Sequence, residues 1–133
     1  MARILIAEDD VATRMVAGKM LEKMGHIPVF SPDGQHALET LQIDAGIQLL
    51  VTDVMMPRMD GRALIKTLRG TERHRKLPVI VISAVVGPRE IADLLDLGAS
   101  RFQPKPLDMG ELRENIELAL RDFNVDNKLQ GNA

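Results

Sequence analysis

The chain has 133 residues, a formal net charge of −2 at pH 7, no cysteine and 2% aromatic residues. Its length is enough for one buried core and leaves little room for a second domain. The near balance of charge argues against a polycation that coats nucleic acid, the lack of cysteine excludes disulfides and thiolate metal sites, and the scarcity of aromatics argues against base-stacking platforms.

Targeting and membrane segments are not indicated by the sequence. No apolar run approaches the roughly 20 residues that span a bilayer. The first apolar run, at 4–7, meets the acidic residues of 8–10 at once, which is unlike a signal peptide. We therefore expect a cytoplasmic protein with no membrane insertion.

Five short apolar runs predict strands. The three strongest lie at 4–7, 49–52 and 79–82, and weaker candidates lie at 27–30 and 100–102. The strong runs are continuous rather than alternating, which is typical of strands that are covered on both faces of a parallel sheet.

Amphipathic stretches follow the strand candidates and predict helices at 11–24, 35–41, 62–68, 89–97 and 112–123. Asp108 and Glu111 have the spacing of a capping box before the last helix. Strand followed by helix, five times over, predicts an α/β domain with right-handed crossovers and helices on both faces of the sheet. We assign residues 1–123 to this domain and 124–133, where the apolar period is lost, to a tail or the start of a linker.

Chemically reactive side chains follow four of the predicted strands. The acidic run 8–10 follows the first strand, Asp53 and Ser83 follow two central ones, and Lys105 follows the last. Ligands of open parallel sheets bind beyond the carboxyl ends of the strands. Clustered carboxylates repel one another unless a cation neutralises them, and Mg²⁺ typically binds one or two carboxylates together with a phosphate. Without cysteine or a suitable histidine at a strand end, a carboxylate that forms an aspartyl phosphate is the best candidate for covalent chemistry.

Each of these residues has an ordinary explanation when it is taken alone. Asp9 or Asp10 would cap the first helix, Asp53 would be a turn residue, and Lys105 would be a surface lysine. Their conjunction at one edge of a sheet is what favours a functional site.

Four stretches of the chain resemble the receiver domain of two-component response regulators, over residues 3–123. They are 4–10 (Ile-Leu-Ile-Ala-Glu-Asp-Asp), 51–61 (Val-Thr-Asp-Val-Met-Met-Pro-Arg-Met-Asp-Gly), 79–84 (Val-Ile-Val-Ile-Ser-Ala) and 105–106 (Lys-Pro). The spacing of the acidic and basic positions is similar to that of chemotaxis-type single-domain members. The resemblance implies a flavodoxin-like (βα)₅ fold with a doubly wound, five-stranded parallel sheet in strand order 2-1-3-4-5. It also implies a phosphorylation-controlled signalling switch, not an enzyme that turns over a substrate.

The resemblance assigns roles to the residues of this edge. Asp53 would accept a phosphoryl group from a sensor histidine kinase or a histidine phosphotransfer protein. Mg²⁺ would be held by Asp9, Asp53 and the backbone carbonyl of Met55, with Glu8 acting through water. Lys105 would pair with the phosphoryl group, and its bond to the following proline is expected to be cis.

The resemblance also implies a switch and a surface for an output partner. Ser83, where threonine is also common, is expected to move toward the phosphoryl group and to leave space for Phe102, which replaces a common tyrosine. A downstream protein would bind the face formed by the fourth helix, fifth strand and fifth helix, with Ile91, Leu95, Arg101 and Phe102 as candidates. Ordinary packing is the alternative for Ile91 and Leu95. The protein would be a monomer or a phosphorylation-linked dimer without direct nucleic-acid binding.

Two apolar residues, Met55 and Val85, flank the proposed phosphorylation site. Because neither can orient an attacking water molecule, they predict slow spontaneous dephosphorylation.

Three alternatives remain in view. The chain could be the receiver module of a longer regulator. A flavodoxin-like flavin or nucleotide binder is disfavoured, because no glycine-rich loop follows the first strand and the acids of 8–10 would repel a phosphate. An aspartate-nucleophile phosphohydrolase is disfavoured because Met55 stands where a second acid is usual.

Overall fold

One parallel sheet forms the centre of the molecule. The computed structural model describes residues 1–84 and 87–129, with the backbone alone for 125–129. The strands are β1 (Arg3–Ala7), β2 (Ile27–Ser31), β3 (Ile47–Asp53), β4 (Val79–Ser83) and β5 (Arg101–Pro104). All neighbouring strands pair in parallel, in the order β2-β1-β3-β4-β5. The predicted flavodoxin-like strand order 2-1-3-4-5 is therefore confirmed.

Helices follow the strands along the chain, as predicted. Within the described residues they are α1 (Val11–Lys23), α2 (Gly34–Ile43), α3 (Gly61–Arg69), α4 (Pro88–Leu97) and α5 (Met109–Leu129), with a short 3₁₀ turn at Glu72–His74. Asp10, Asp33 and Asp60 cap the first three helices, and each carboxylate accepts a backbone N–H three residues ahead. Such a cap contributes about 1 kcal/mol to stability. At α4 a proline occupies the first turn, where its missing N–H costs nothing.

The continuous apolar runs arise because both faces of the sheet are covered. Along β1, Ile4 and Ile6 enter a buried cluster with side chains from α1 and α5. Leu5 and Ala7 alternate with them and enter a second cluster with side chains from α2, α3 and α4. Each face of the strand therefore requires apolar residues, and the period of two that marks a half-exposed strand disappears.

The last helix is longer than the sequence pattern predicts. It continues to Leu129, past the predicted end at 123, and residues 130–133 lie outside the described residues. Residues 124–129 contain no glycine or proline, so they hold no residue that breaks a helix, although the apolar spacing of the sequence ends at 123. The division of the chain at residue 123 stays a prediction. In the described part of the chain, no helix is both long and apolar enough to cross a membrane.

Arg69 ties together three segments at the edge of the sheet opposite the acidic residues. Its Nε donates to the carbonyl of Gly98, the C-cap of α4, at 2.9 Å. One of its terminal nitrogens donates to the carbonyls of Leu77, Arg75 and His74 at 2.7, 3.1 and 3.3 Å. Burial lowers the pKa of this guanidinium. Arg69 thus holds the end of α3, the loop before β4 and the end of α4 in fixed relation.

Replacing Arg69 is expected to destabilise the fold. Arg69→Met leaves several carbonyls without their donor and should lower the free energy of unfolding by about 2–3 kcal/mol. Lys66→Met, at an exposed position one turn earlier on α3, should change it by less than about 0.5 kcal/mol. Urea unfolding followed by circular dichroism measures both, and equal losses would contradict the assigned role of Arg69.

Candidate functional site

The acidic residues predicted to meet at the sheet edge do so. Glu8, Asp9 and Asp53 each offer an oxygen, and these oxygens lie within 4.8 Å of one another. Glu8 and Asp53 are buried, whereas Asp9 is exposed. The convergence follows from strand register: Ala7 of β1 lies opposite Thr52 of β3, so the next residues of both strands leave the sheet side by side.

Lys105 completes the cluster from the end of β5. Its Nζ donates to Glu8 Oε1 at 2.6 Å and to Asp53 Oδ2 at 2.8 Å. The backbone N–H of Lys105 donates to the carbonyl of Ser83 at 2.9 Å, which fixes its backbone against the end of β4. The Lys105–Pro106 bond is cis, as the resemblance implied.

The Asp53 side chain is held in one orientation. Its Oδ1 accepts the N–H of Val54 at 2.7 Å, while its Oδ2 faces Lys105. Gly61 approaches the backbone here so closely that a Cβ at this position would overlap the carbonyl oxygen of Asp53. Its N–H donates to the carbonyl of Val54 at 2.8 Å, so glycine is required for the start of α3 to pack against the end of β3.

A cavity of about 350 Å³ opens over Asp53, and its lining includes Met55, Ser83, Ala84, Glu90 and Lys105. Ser83 is 6% exposed and Met55 is 76% exposed, so the first forms part of the floor and the second stands at the rim. Ala84 contributes only a methyl group to this lining. Val85, predicted to flank this site, lies outside the described residues.

Burial and the shared ammonium set the electrostatics of the cluster. Burial raises the pKa of the Glu8 carboxyl to about 7, against the opposing hydrogen bond from Lys105. Burial lowers the pKa of the Lys105 ammonium, but its hydrogen bonds to Asp53 and Glu8 outweigh this effect and hold the pKa above its ordinary value. Lys105 therefore stays charged near neutral pH.

The donor set suits a hard divalent cation. Among the described residues, this cluster contains three carboxylates and one bound ammonium. It therefore carries an excess of negative charge that a cation would neutralise. All the donors are oxygens, which Mg²⁺ and Ca²⁺ prefer. Exposed Asp9 leaves one side of the cluster open to a hydrated ion.

Three more residues lie around this edge of the sheet, and each has a different role. Asp10 caps α1 through the N–H of Thr13 at 2.9 Å, so the ordinary explanation is correct for that residue. Arg14 donates to the backbone carbonyl of Glu8 at 2.8 Å and fixes the end of β1. Glu90 in the first turn of α4 lines the cavity, which the sequence analysis missed because only the fold brings it there.

The predicted switch and partner residues lie on the neighbouring face. Phe102 is half-buried on β5, opposite Val81, and packs against the cluster beneath α2, α3 and α4. On α4, Ile91 is half-buried and Leu95 is 44% exposed. Packing within the domain therefore accounts for the apolar side chain of Ile91 better than for that of Leu95. Arg101 donates to Asn115 of α5 at 2.8 Å.

Comparisons with known proteins agree with this architecture. The family profile described as response regulator receiver domain matches residues 4–117. Chemotaxis protein CheY1 of Helicobacter pylori is 29% identical over 119 residues, which cover 89% of this chain and 96% of that protein. Response regulator MprA of Mycobacterium tuberculosis is 37% identical over 90% of this chain and 50% of that protein. The signal receiver domain of a signal transduction histidine kinase from Syntrophus aciditrophicus superposes with a TM-score of 0.83 at 30% identity, over 92% of each chain.

The chain belongs to the response regulator receiver domain family. It is a signalling domain, and its fold and relatives are those of the phosphorylation-controlled switches of two-component systems. The site described above lies at the carboxyl edge of the sheet, where folds of this class bind their ligands.

Removing the buried charge of Glu8 is expected to stabilise the protein at high pH. Because the Glu8 pKa is near 7 in the folded state and 4.5 ordinarily, the folded state binds more protons in this interval and stability falls as pH rises through it. Without divalent cations, Glu8→Gln should therefore have a higher melting temperature than the wild type above pH 7, and the gap should shrink as pH falls toward 4.5.

Calorimetric melting across this pH range measures the effect, with Glu22→Gln, an exposed position on α1, as the control. A gap that does not depend on pH would contradict the raised Glu8 pKa.

Proposed function

We propose that Asp53 is the phosphoacceptor of this receiver domain. The observation that carries the proposal is the contact of the Lys105 ammonium with both Asp53 and Glu8, beside an open cavity. An ammonium at 2.8 Å from the acceptor carboxylate is placed to offset the negative charge of an incoming phosphoryl group.

The proposed metal is Mg²⁺. Asp9, Asp53 and the backbone carbonyl of Met55 would hold it, with Glu8 acting through water. When bound, Mg²⁺ would neutralise charge on the phosphoryl oxygens and help align donor and acceptor.

The proposed reaction is a single phosphoryl transfer. A carboxylate oxygen of Asp53 forms a bond to phosphorus while the bond from phosphorus to the donor's histidine nitrogen breaks, and the electron pair leaves with the imidazole. Asp53 is held by Val54 and Lys105 before the donor arrives, so little reorganisation is needed. The domain promotes its own phosphorylation and the slow hydrolysis of the resulting aspartyl phosphate, and it does not turn over a separate substrate.

The proposed output is a shift between two conformations. Phosphorylation adds charge and acceptor oxygens beside Ser83. Ser83 moves toward them and Phe102 fills the space it leaves, which changes the face of α4, β5 and α5. Exposed Leu95 supports this face as the docking site for a downstream protein. The donor would be a sensor histidine kinase or a histidine phosphotransfer protein.

Two settings for this switch are supported by the relatives. The matched region spans 96% of CheY1 but only 50% of MprA, so the relatives include proteins of about this length and proteins about twice as long. The chemistry proposed for Asp53 is the same in both.

Phosphorylation by a small acyl phosphate tests the acceptor directly. With Mg²⁺, the wild type should gain one phosphoryl group by intact-protein mass spectrometry, and Asp53→Asn should gain none. Asp10→Asn is the matched control, because asparagine also caps helices and Asp10 lies outside the cluster. Chelating the metal should abolish labelling of the wild type. Labelling of Asp53→Asn at the wild-type rate would refute the assignment.

The lifetime of the phosphorylated form tests the role of Met55. Met55→Glu and Met55→Asn place a polar group at the rim that can orient an attacking water molecule, so loss of the phosphoryl group should accelerate on the order of tenfold. The measurement follows phosphoryl loss after the donor is removed. Ile43→Asn, at an exposed apolar position on α2, should decay like the wild type. Unchanged lifetimes in both Met55 variants would contradict this role.

A further inference from the structure

The loop between β3 and α3, which carries Met55, is supported from outside by the start of α2. The N–H of Gly34 donates to the carbonyl of Met59 at 3.0 Å. A Cβ at Gly34 would overlap that carbonyl group, so only glycine permits the backbones to come this close. The loop therefore rests on a rigid helix terminus.

An ion pair joins the same two segments. Arg58 Nε lies 3.1 Å from Asp33 Oδ2, and its Nη2 donates to Oδ1 at 3.3 Å, which gives a two-point contact. Asp33 is 7% exposed and also caps α2 by accepting the N–H of His36 at 2.8 Å. Burial alone would raise the pKa of the Asp33 carboxyl, but hydrogen bonds from His36 and Arg58 hold it below its ordinary value.

The backbone of Arg58 adopts a conformation that it would not favour by itself. Its φ is 66°, and it is the only residue other than glycine with a positive φ among the described residues. A side chain in this left-handed region is strained. Such a conformation persists when surrounding contacts hold it, and the contact with Asp33 is suited to do so.

We propose that the Asp33–Arg58 ion pair is a positioning element for the divalent-cation site. It fixes the loop so that the Met55 backbone stays beside Asp53 in the arrangement that binds the cation. This inference rests on the proposed function. Contacts one layer away from metal ligands commonly set metal affinity, because they hold the ligands in the required orientation.

Positioning and simple electrostatics predict opposite results for one variant. Arg58→Gln removes a positive charge near an acidic cluster, so electrostatics alone predicts tighter Mg²⁺ binding. If Arg58 acts through the loop, the same variant binds Mg²⁺ more weakly. The direction of the change therefore separates the two effects.

The experiment measures Mg²⁺ affinity of the full, unphosphorylated chain by titration calorimetry. Arg58→Gln and Asp33→Asn should each weaken Mg²⁺ binding by about tenfold. Asparagine keeps the cap of α2, so the second variant removes the ion pair while the helix start is retained. The double variant leaves the net charge unchanged. It should bind Mg²⁺ no more weakly than the single variant with the lower affinity, because both changes remove the same contact. Arg75→Gln, an exposed arginine of the loop before β4, controls for the lost charge.

Hydrogen exchange supplies a readout that does not involve the metal. In Arg58→Gln the amide of Gly34 should exchange faster, while the amide of Val54, which bonds the Asp53 side chain within the site, should change less. Unchanged or tighter Mg²⁺ binding by Arg58→Gln would overturn the positioning role and leave the proposed function intact. A wild-type chain that neither binds Mg²⁺ nor accepts a phosphoryl group would overturn both.

Discussion

The Lys105 ammonium lies between two carboxylates from different strands, and the arrangement of the site depends on this contact. Its partners, Asp53 and Glu8, are 52 and 97 residues away in sequence, and the parallel sheet brings all three to one edge. Two buried carboxylates this close would repel each other without a cation. Lys105 therefore contributes to the stability of the fold as well as to the chemistry proposed for the site.

Glycines beside the site allow its backbone segments to approach one another. Gly61 lets the start of α3 contact the end of β3, and Gly34 lets the start of α2 contact the loop between them. The sheet beneath is covered on both faces, so the strand ends that carry the acids are fixed by dense packing. The functional side chains thus stand on rigid supports, although the loops around them face solvent.

Much of the fold and of the candidate site can be predicted from the sequence, for two physical reasons. A strand buried on both faces must be apolar throughout, and the carboxyl ends of parallel strands share one edge, so Asp53 and Lys105 could be placed together from their positions after apolar runs. Which long side chain turns inward is not encoded in such patterns. Nothing in the local sequence separates Arg69 from the other basic residues near it, such as Lys66, Arg73 and Arg75. Arg58 and Asp33 are 25 residues apart, so only the fold shows that they form an ion pair. The sequence pattern underestimates the length of α5, because apolar spacing indicates where a helix packs rather than where it ends.

In the structure, Asp53 and Glu8 share a single ammonium, that of Lys105. A site with this balance of charge is suited to respond to one added phosphoryl group. Phosphorylation of Asp53, as proposed, would bring its charge to about −2 and draw Lys105 and a bound cation toward the new oxygens. The backbone N–H of Lys105 donates to the carbonyl of Ser83, so a change at the proposed phosphoryl group would reach the ends of both β4 and β5. At the opposite edge Arg69 holds the end of α4. A response that starts at Ser83 would therefore be concentrated in the first turns of α4, next to the face proposed for the output partner.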